Sequence, residues 1–152
     1  MSRRAGRWML LAAMVAMCAC NDPQKLDVDQ AVAAVDAHAE EFARFGRWAR
    51  RVLVSRAAFR GDAALREALF APLRRKGAAA RAWVVLPGSR EVLRLGERDP
   101  ATPPDVDWTT VRHPRLGPVR VASWTGGDCA RGCVLISRRL PSDAEIVVAF
   151  RR

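Results

Sequence analysis

The longest regular pattern of apolar residues begins at Val28 and repeats every three or four positions. Its members are Val28, Val32, Val35, Ala39, Phe42, Gly46, Ala49 and Leu53. This heptad spacing places them on one face of a helix, and Asp27 and Gln30 have the spacing of a capping box at its start. The pattern therefore predicts a helix over residues 28–56. Because several members are small, we expect it to pack on a sheet of its own chain, or in part against a second copy in a homodimer.

After Gly77 the apolar positions follow the spacing that is typical of strands. The segments that show this pattern are 81–86, 91–95, 108–112, 119–125, 133–139 and 145–151. A Pro-Gly-Ser turn at residues 87–89 joins the first two in a hairpin. Between the long helix and the strands, Leu65, Leu69 and Leu73 predict a second, short helix. The predicted fold is α+β, with both helices packed on a five- or six-stranded, mainly antiparallel sheet.

The first residues of the chain form a different pattern. Arg3, Arg4 and Arg7 precede an uncharged apolar run at residues 8–17. Even a helix that continued to residue 20 would be about 20 Å long, short of the roughly 30 Å of a bilayer core. The pattern is therefore that of a cleaved export signal, which we assign to residues 1–19.

The residues that follow this run, Met17-Cys18-Ala19-Cys20, resemble the lipobox of bacterial lipoproteins, in which a small residue precedes the cysteine that becomes diacylated. Met17 and Cys18 stand where the family usually has Leu and Ala or Ser. The resemblance implies that the mature protein begins at Cys20 and is held by lipid to a membrane of the cell envelope, facing the periplasm or the exterior. The alternative is an ordinary signal cut near Ala19, which gives a soluble secreted protein with a free thiol.

Cleavage before Cys20 removes 19 of the 152 residues and leaves 133, enough for one domain with its own core. We expect residues 20–27 to form a short tether and residues 28–152 to form that domain. The formal net charge falls from +10 to +7, because three arginines are removed. A basic protein binds envelope polyanions by charge, although arginines spread over a solvated face would give the same composition. The export signal argues against nucleic acid as a partner.

Cys129 and Cys133 are the remaining cysteines of the mature chain besides Cys20. Outside the cytoplasm, a close pair in a Gly-rich segment predicts a disulfide. The spacing differs from the C-x₂-C of thiol oxidoreductases, and no histidine or third cysteine nearby would complete a zinc site. A structural disulfide is therefore the favoured interpretation.

The sequence offers no motif for catalysis, a cofactor or a metal. It lacks Gly-x-Ser-x-Gly, a phosphate loop and a dinucleotide fingerprint. We expect His38 on the surface of the long helix, and His113, before a proline, has no evident partner. Asp99, Asp105 and Asp107 could bind a cation, but a solvated loop is favoured. We therefore expect a noncatalytic protein with no cofactor and no metal site.

Large aromatic residues on the predicted strands offer one candidate for binding. Tryptophans at such positions usually build the core, and a ligand-stacking pocket is the alternative. If a pocket exists, the neighbouring arginines would suit an anionic or aromatic small ligand. The candidate ligand-binding residues are Trp83, Trp108, Trp124, Arg94, Arg112 and Arg120.

The order of a long helix, a short Leu-rich helix, the hairpin at residues 83–95 and further antiparallel strands resembles extracytoplasmic Cache/PAS-like sensory domains. The resemblance covers residues 28–152, and it carries over no binding residues because the ligand motifs of the family have no match here. It implies a lipid-anchored binding module that acts through a protein partner in the envelope. Two other functions stay open, namely a scaffolding lipoprotein of an envelope or secretion complex and an arginine-driven binder of envelope polyanions.

Overall fold

The computed structural model describes residues 25–53, 64, 70–71, 74–75, 79–88, 91–95, 102–141 and 143–152. Within them, one long helix packs on a six-stranded antiparallel sheet, which confirms the predicted α+β fold class. The export signal, Cys20 and most of the predicted short helix lie outside the described residues. No helix in the described ranges has the length and apolar character needed to cross a membrane.

The long helix, α1, spans Val28–Leu53 and begins where the capping box predicts. The Gln30 N–H donates to Oδ1 of Asp27 at 2.8 Å, and the Asp27 N–H donates to Oε1 of Gln30 at 3.1 Å. These two bonds give partners to amide groups at the start of the helix, where no helical carbonyl can reach them. The predicted end at residue 56 lies outside the described residues.

The buried face of α1 differs from the predicted heptad stripe at its N-terminal end. Val28 and Val32 are 60% and 37% exposed, whereas Ala31 is fully buried. The buried apolar positions are Ala31, Val35, Ala39, Phe42, Phe45 and Ala49. An α-helix has 3.6 residues per turn, so a strict seven-residue repeat drifts away from a face that packs on a sheet instead of a supercoiled partner. The predicted packing on the sheet of the same chain is therefore wrong for Val28 and Val32.

Six strands follow α1 in the chain. They are β1 (Ala79–Val85), β2 (Val92–Arg94), β3 (Thr109–His113), β4 (Gly117–Trp124), β5 (Cys133–Arg139) and β6 (Glu145–Arg151). The predicted bounds are confirmed for β5 and β6, and those of the other four strands differ by at most two residues. The strand order is β2-β1-β6-β5-β4-β3, and all neighbours are antiparallel. The last strand therefore pairs with the first and joins the β3–β6 meander to the β1–β2 hairpin.

α1 crosses one face of the sheet from the edge strand β3 to the central strand β6. At its start, the Thr109 hydroxyl donates to the Leu26 carbonyl at 2.5 Å. Farther along, the ring of His38 stacks on Phe150 of β6. The main apolar core lies between α1 and this face, and Phe70, a helical residue of the predicted short helix, packs into it. A smaller buried cluster lies on the opposite face.

Candidate functional site

The residues predicted to bind a ligand lie on one face of the sheet, the face opposite α1. Directly paired residues of neighbouring strands point to the same side of a sheet. Trp83 pairs with Arg94 on β2 and with Val147 on β6. Ser137 on β5 then links Val147 to Arg120 on β4. Two arginines and one tryptophan from the sequence prediction are therefore joined across five strands.

The alternation along β3 and β4 brings the other three candidates to this face. Trp124 is four residues from Arg120 on β4, and Arg112 is two residues from Thr110, the β3 partner of Arg120. Trp108 lies directly before β3, and the Arg120 guanidinium lies over its ring. We define the Trp–Arg face by Trp83, Trp108, Trp124, Arg94, Arg112 and Arg120. The assignment of a ligand to these residues stays a prediction.

The three tryptophans differ in the surface that they expose. Trp83 is fully buried, and its ring meets that of Trp124 edge to face, with centroids 6.3 Å apart. Trp108 and Trp124 are half-buried. Trp83 therefore contributes to the core, as tryptophans on strands usually do, whereas Trp108 and Trp124 supply the accessible aromatic surface.

A disulfide joins Cys129 and Cys133, as the sequence predicts, and their Cα atoms are 5.3 Å apart. Cys129 ends a short 3₁₀ turn at Gly127–Cys129, and both cysteines belong to the buried cluster of the Trp–Arg face. A Cβ placed on Gly126 would lie 3.3 Å from Nε1 of Trp124. Because that spacing is tight, a glycine suits the point where the backbone of the disulfide loop passes the indole.

Arg120 has three partners on the Trp–Arg face. Its guanidinium carbon lies 4.7 Å from the ring centroid of Trp108, which is a cation–π contact. Its Nη2 forms an ion pair with Oε1 of Glu145 and lies 3.5 Å from Oγ of Ser137. The Ser137 hydroxyl donates to the same oxygen of Glu145. Arg120 is therefore paired with an internal carboxylate, a contact that the sequence interpretation missed.

The sequence of the β5–β6 hairpin predicts one part of this contact, the proximity of Ser137 and Glu145. Val147 is the partner of Ser137, so Glu145 lies diagonally across from Ser137 on the same face. A hairpin symmetrical about the turn at residues 140–144 therefore places Ser137 beside Glu145. The contact with Arg120 also requires β4 beside β5, and the pattern within each strand does not specify that neighbour.

The sheet carries many cations and one anion. Glu145 is the single acidic residue in the six strands. Their arginines are Arg81, Arg94, Arg112, Arg120, Arg138, Arg139 and Arg151. Arg112 and Arg139 are exposed on the Trp–Arg face, near the partly exposed Arg120. The positive potential of this face favours the approach of anions.

His38 is half-buried, so its predicted surface position is wrong. Its ring stacks on Phe150, with centroids 4.5 Å apart. Burial lowers the pKa of His38 below the usual 6.5, because a charged ring loses hydration there, and the nearby Glu41 carboxylate opposes this shift. His38 therefore packs mainly as a neutral ring near neutral pH.

His113 also has a partner that the sequence did not indicate. It is buried, and its Nε2 lies 3.0 Å from Oδ1 of Asp36 on α1. The Arg115 N–H donates to Nδ1 of His113 at 3.1 Å. Because Nδ1 accepts, the ring carries its proton on Nε2 and donates to Asp36. These bonds connect α1 to the turn between β3 and β4.

An open cavity of about 410 Å³ lies on the α1 side of the molecule. It is lined by Asp36, Ala37, Ala39, Glu40, Glu41, Arg44 and Arg115. Asp36 is bound to His113, and a carboxylate oxygen of Glu40 lies 3.8 Å from Nη2 of Arg44. The cavity is therefore lined by both positive and negative side chains. It favours no one class of ligand, whereas the positive Trp–Arg face favours anions.

Among the described residues, no group of three His, Cys, Asp or Glu side chains could hold a metal ion. Asp105 and Asp107 are exposed on an irregular segment, and Asp99 lies outside the described residues. The Trp–Arg face is therefore the strongest candidate site.

No protein-family model, no curated protein and no solved structure matches this chain. The predicted resemblance to Cache/PAS-like domains is accordingly not tested by a relative.

Proposed function

We propose that this protein is a noncatalytic lipoprotein of the bacterial cell envelope that binds an anionic ligand on the Trp–Arg face and acts through a protein partner. The proposal rests on one observation, the cation–π contact of Arg120 with Trp108 on a partly exposed surface that also carries Trp124 and the exposed Arg112 and Arg139. Arginines supply charge and forked donors for an anion, and aromatic rings supply flat apolar contact area. An anionic ligand with an apolar part fits both.

The position of α1 supports this use of the face. α1 covers the other side of the sheet, where the main core lies. Exposed side chains of the Trp–Arg face are therefore available for contacts outside the domain. Substitutions at Arg112 or Arg139 can then change binding without disturbing the core.

The envelope location is supported by the export signal and by the lipobox-like residues that end at Cys20. A disulfide persists in an oxidising compartment, and the Cys129–Cys133 bridge fits that location. The Thr109 hydroxyl holds the Leu26 carbonyl at the edge of the sheet. Six residues from Cys20 to Leu26 span at most about 20 Å, so an anchored domain acts close to the bilayer.

A scaffolding function through α1 is the second candidate. Val28 and Val32 are exposed at the end of α1 that lies nearest to the proposed anchor. Most of the apolar stripe is instead buried against the sheet, so the remaining surface is small beside the roughly 800 Å² per partner of a stable interface. We therefore rank scaffolding below anion binding.

Tryptophan fluorescence of the mature protein tests the ligand. We propose a titration with carboxylates, phosphates and neutral compounds of matching shape. We expect anions to change the emission and neutral compounds to leave it unchanged. Arg112→Gln should weaken the response, whereas Arg47→Gln, at an exposed position of α1, is the matched control. A protein that responds to no anion would contradict the binding function.

Labelling of cells with an alkyne fatty acid tests the anchor. We expect label on the wild-type protein, none on Cys20→Ser, and accumulation of the uncleaved form in the presence of globomycin. A Cys20→Ser variant that keeps the label would contradict the anchor. Cross-linking in envelope membranes, followed by mass spectrometry, identifies the partner.

A further inference from the structure

Glu145 differs from the other strand residues of the Trp–Arg face because it is the single anion among them. Its Oε1 accepts from the Arg120 guanidinium and from the Ser137 hydroxyl. The guanidinium lies across the ring of Trp108, which restricts its orientation. Two donors from β4 and β5 therefore converge on one carboxylate oxygen supplied by a third strand.

These two donors would also suit a carboxylate from outside the protein. The contact with Glu145 uses Nη2 of Arg120 alone. A free carboxylate can place both oxygens along the edge of a guanidinium, which is the stronger geometry. The carboxylate of Glu145 is limited by its attachment to β6. An external ligand can therefore form this contact with better alignment than Glu145 does.

The ion pair is accessible enough for such an exchange. The Arg120 side chain is 42% exposed and the Glu145 side chain 24% exposed. A ligand carboxylate that takes over both donors leaves neither Arg120 nor the buried Ser137 hydroxyl without a partner, so the exchange keeps the hydrogen bonds of the site. Glu145 is also the first residue of β6 and lies at the end of the strand.

We propose that Arg120 and Ser137 form a carboxylate site, which Glu145 occupies until a ligand carboxylate displaces it. Trp108 and Trp124 then contact the apolar part of the ligand. Glu145 sets the affinity, because every ligand must compete with it. The inference rests on the proposed anion-binding function and adds the ligand class, a small organic acid with an aromatic or other apolar part.

Glu145→Gln tests the competition, because it keeps the shape of the side chain and removes its charge. Asp143→Asn is the matched control, since it removes the same charge from an exposed residue two positions away. Asp143 has a φ of 61°, a conformation that asparagine also adopts readily. The probe is benzoate, with benzamide and inorganic phosphate for comparison, and the measurement is the NMR shift of the Trp108 indole N–H.

We expect Glu145→Gln to bind benzoate about five- to tenfold more tightly than the wild type, with a large shift at Trp108. Asp143→Asn should change the affinity by less than about twofold, and benzamide should cause no shift. Equal benzoate affinities in Glu145→Gln and Asp143→Asn would overturn the displacement of Glu145 while leaving anion binding intact.

The comparison probes show whether the carboxylate class alone fails or the proposed anion-binding function fails with it. Binding of inorganic phosphate at Trp108 without binding of benzoate would overturn the carboxylate class and keep the anion-binding function. Failure of both anions to bind the wild type and Glu145→Gln would overturn the proposed function itself.

Arg120→Lys provides a second test that does not depend on the folding of Glu145→Gln. Lysine keeps the positive charge but loses the planar fork and its stacking on Trp108. We expect benzoate to bind this variant about tenfold more weakly than the wild type. An unchanged affinity would overturn the site at Arg120 and Ser137.

Discussion

Trp83 and Trp124 meet edge to face although two strands, β6 and β5, lie between the strands that carry them. The strands β1 and β4 that carry them are three strand spacings, about 14 Å, apart, yet the ring centroids are 6.3 Å apart. The buried cluster on this face contains small residues, among them Ala80, Ala122 and Ala149. Because small side chains leave room above the sheet, the two rings can extend across the face and cover the cluster.

Two valines of α1 test the corrected orientation of the helix. Val35 is fully buried, whereas Val32 is 37% exposed. Val35→Ala should lower the free energy of unfolding by about 2 kcal/mol, because two buried methyl groups are lost. Val32→Ala removes the same atoms from the same helix and should cost less than about 0.5 kcal/mol. Urea unfolding measures both values.

The same pair of variants also addresses a homodimer through α1. If a second copy covered Val32, Val32→Ala would destabilise the protein nearly as much as Val35→Ala. The midpoint of unfolding would then also depend on protein concentration. We predict neither effect.

The prediction of the fold succeeded where local patterns were bounded by turn-forming residues. The bounds of β5 and β6 follow from alternation that ends at Gly132 and at the Pro141–Asp143 turn. The start of α1 follows from Asp27 and Gln30, whose side chains act within one turn. Each of these features depends on residues close in sequence.

Features that depend on distant residues could not be predicted in the same way. The pairing of β1 with β6 joins segments about 65 residues apart, and no pattern within either strand specifies its neighbour. The contact of Arg120 with Glu145 depends on β5 lying between β4 and β6. The exposure of Val28 and Val32 depends on which part of α1 reaches the sheet. For the same reason, the partners of His38 and His113 were missed.

We expect the stability of the protein to depend on pH through His38. Its pKa in the folded protein is lowered below 6.5, chiefly by burial. The unfolded chain therefore takes up a proton at higher pH than the folded protein does. The free energy of unfolding should fall as the pH drops below about 6.5 and level off below the folded pKa. Urea unfolding at several pH values measures this decrease.

His38→Phe is the control for this pH dependence, because it keeps an aromatic ring against Phe150 and cannot take up a proton. The decrease below about pH 6.5 should be smaller in this variant than in the wild type. The same decrease in both proteins would show that other groups cause it.

We expect reduction of the disulfide to cause a moderate loss of stability. Cys129 and Cys133 close a loop with a sequence separation of 4, so the bridge restricts the unfolded chain less than a long loop would. The double variant Cys129→Ser/Cys133→Ser should lose about 2 kcal/mol in urea unfolding. Reductant should bring the wild type to a similar stability and leave the variant unchanged. An equal effect of reductant on both would contradict a structural role for the bridge.

The dependence of binding affinity on salt concentration distinguishes a small ligand from a polymer. A small carboxylate that contacts Arg120 should lose less than about tenfold in affinity between about 50 and 300 mM salt, because one ion pair is screened. A polyanion that engages several arginines of the Trp–Arg face releases many counterions and should lose far more. A steep loss would favour the polyanion-binding alternative.

Anion binding on the Trp–Arg face is tested most directly by comparing two double variants in a benzoate titration. Arg112→Gln/Arg120→Gln removes two charges from this face, and Arg47→Gln/Arg50→Gln removes two from exposed positions of α1. We predict that the first weakens binding at least about tenfold and that the second stays within about twofold of the wild type. Equal losses in both variants, or no loss in the first, would contradict binding at the Trp–Arg face.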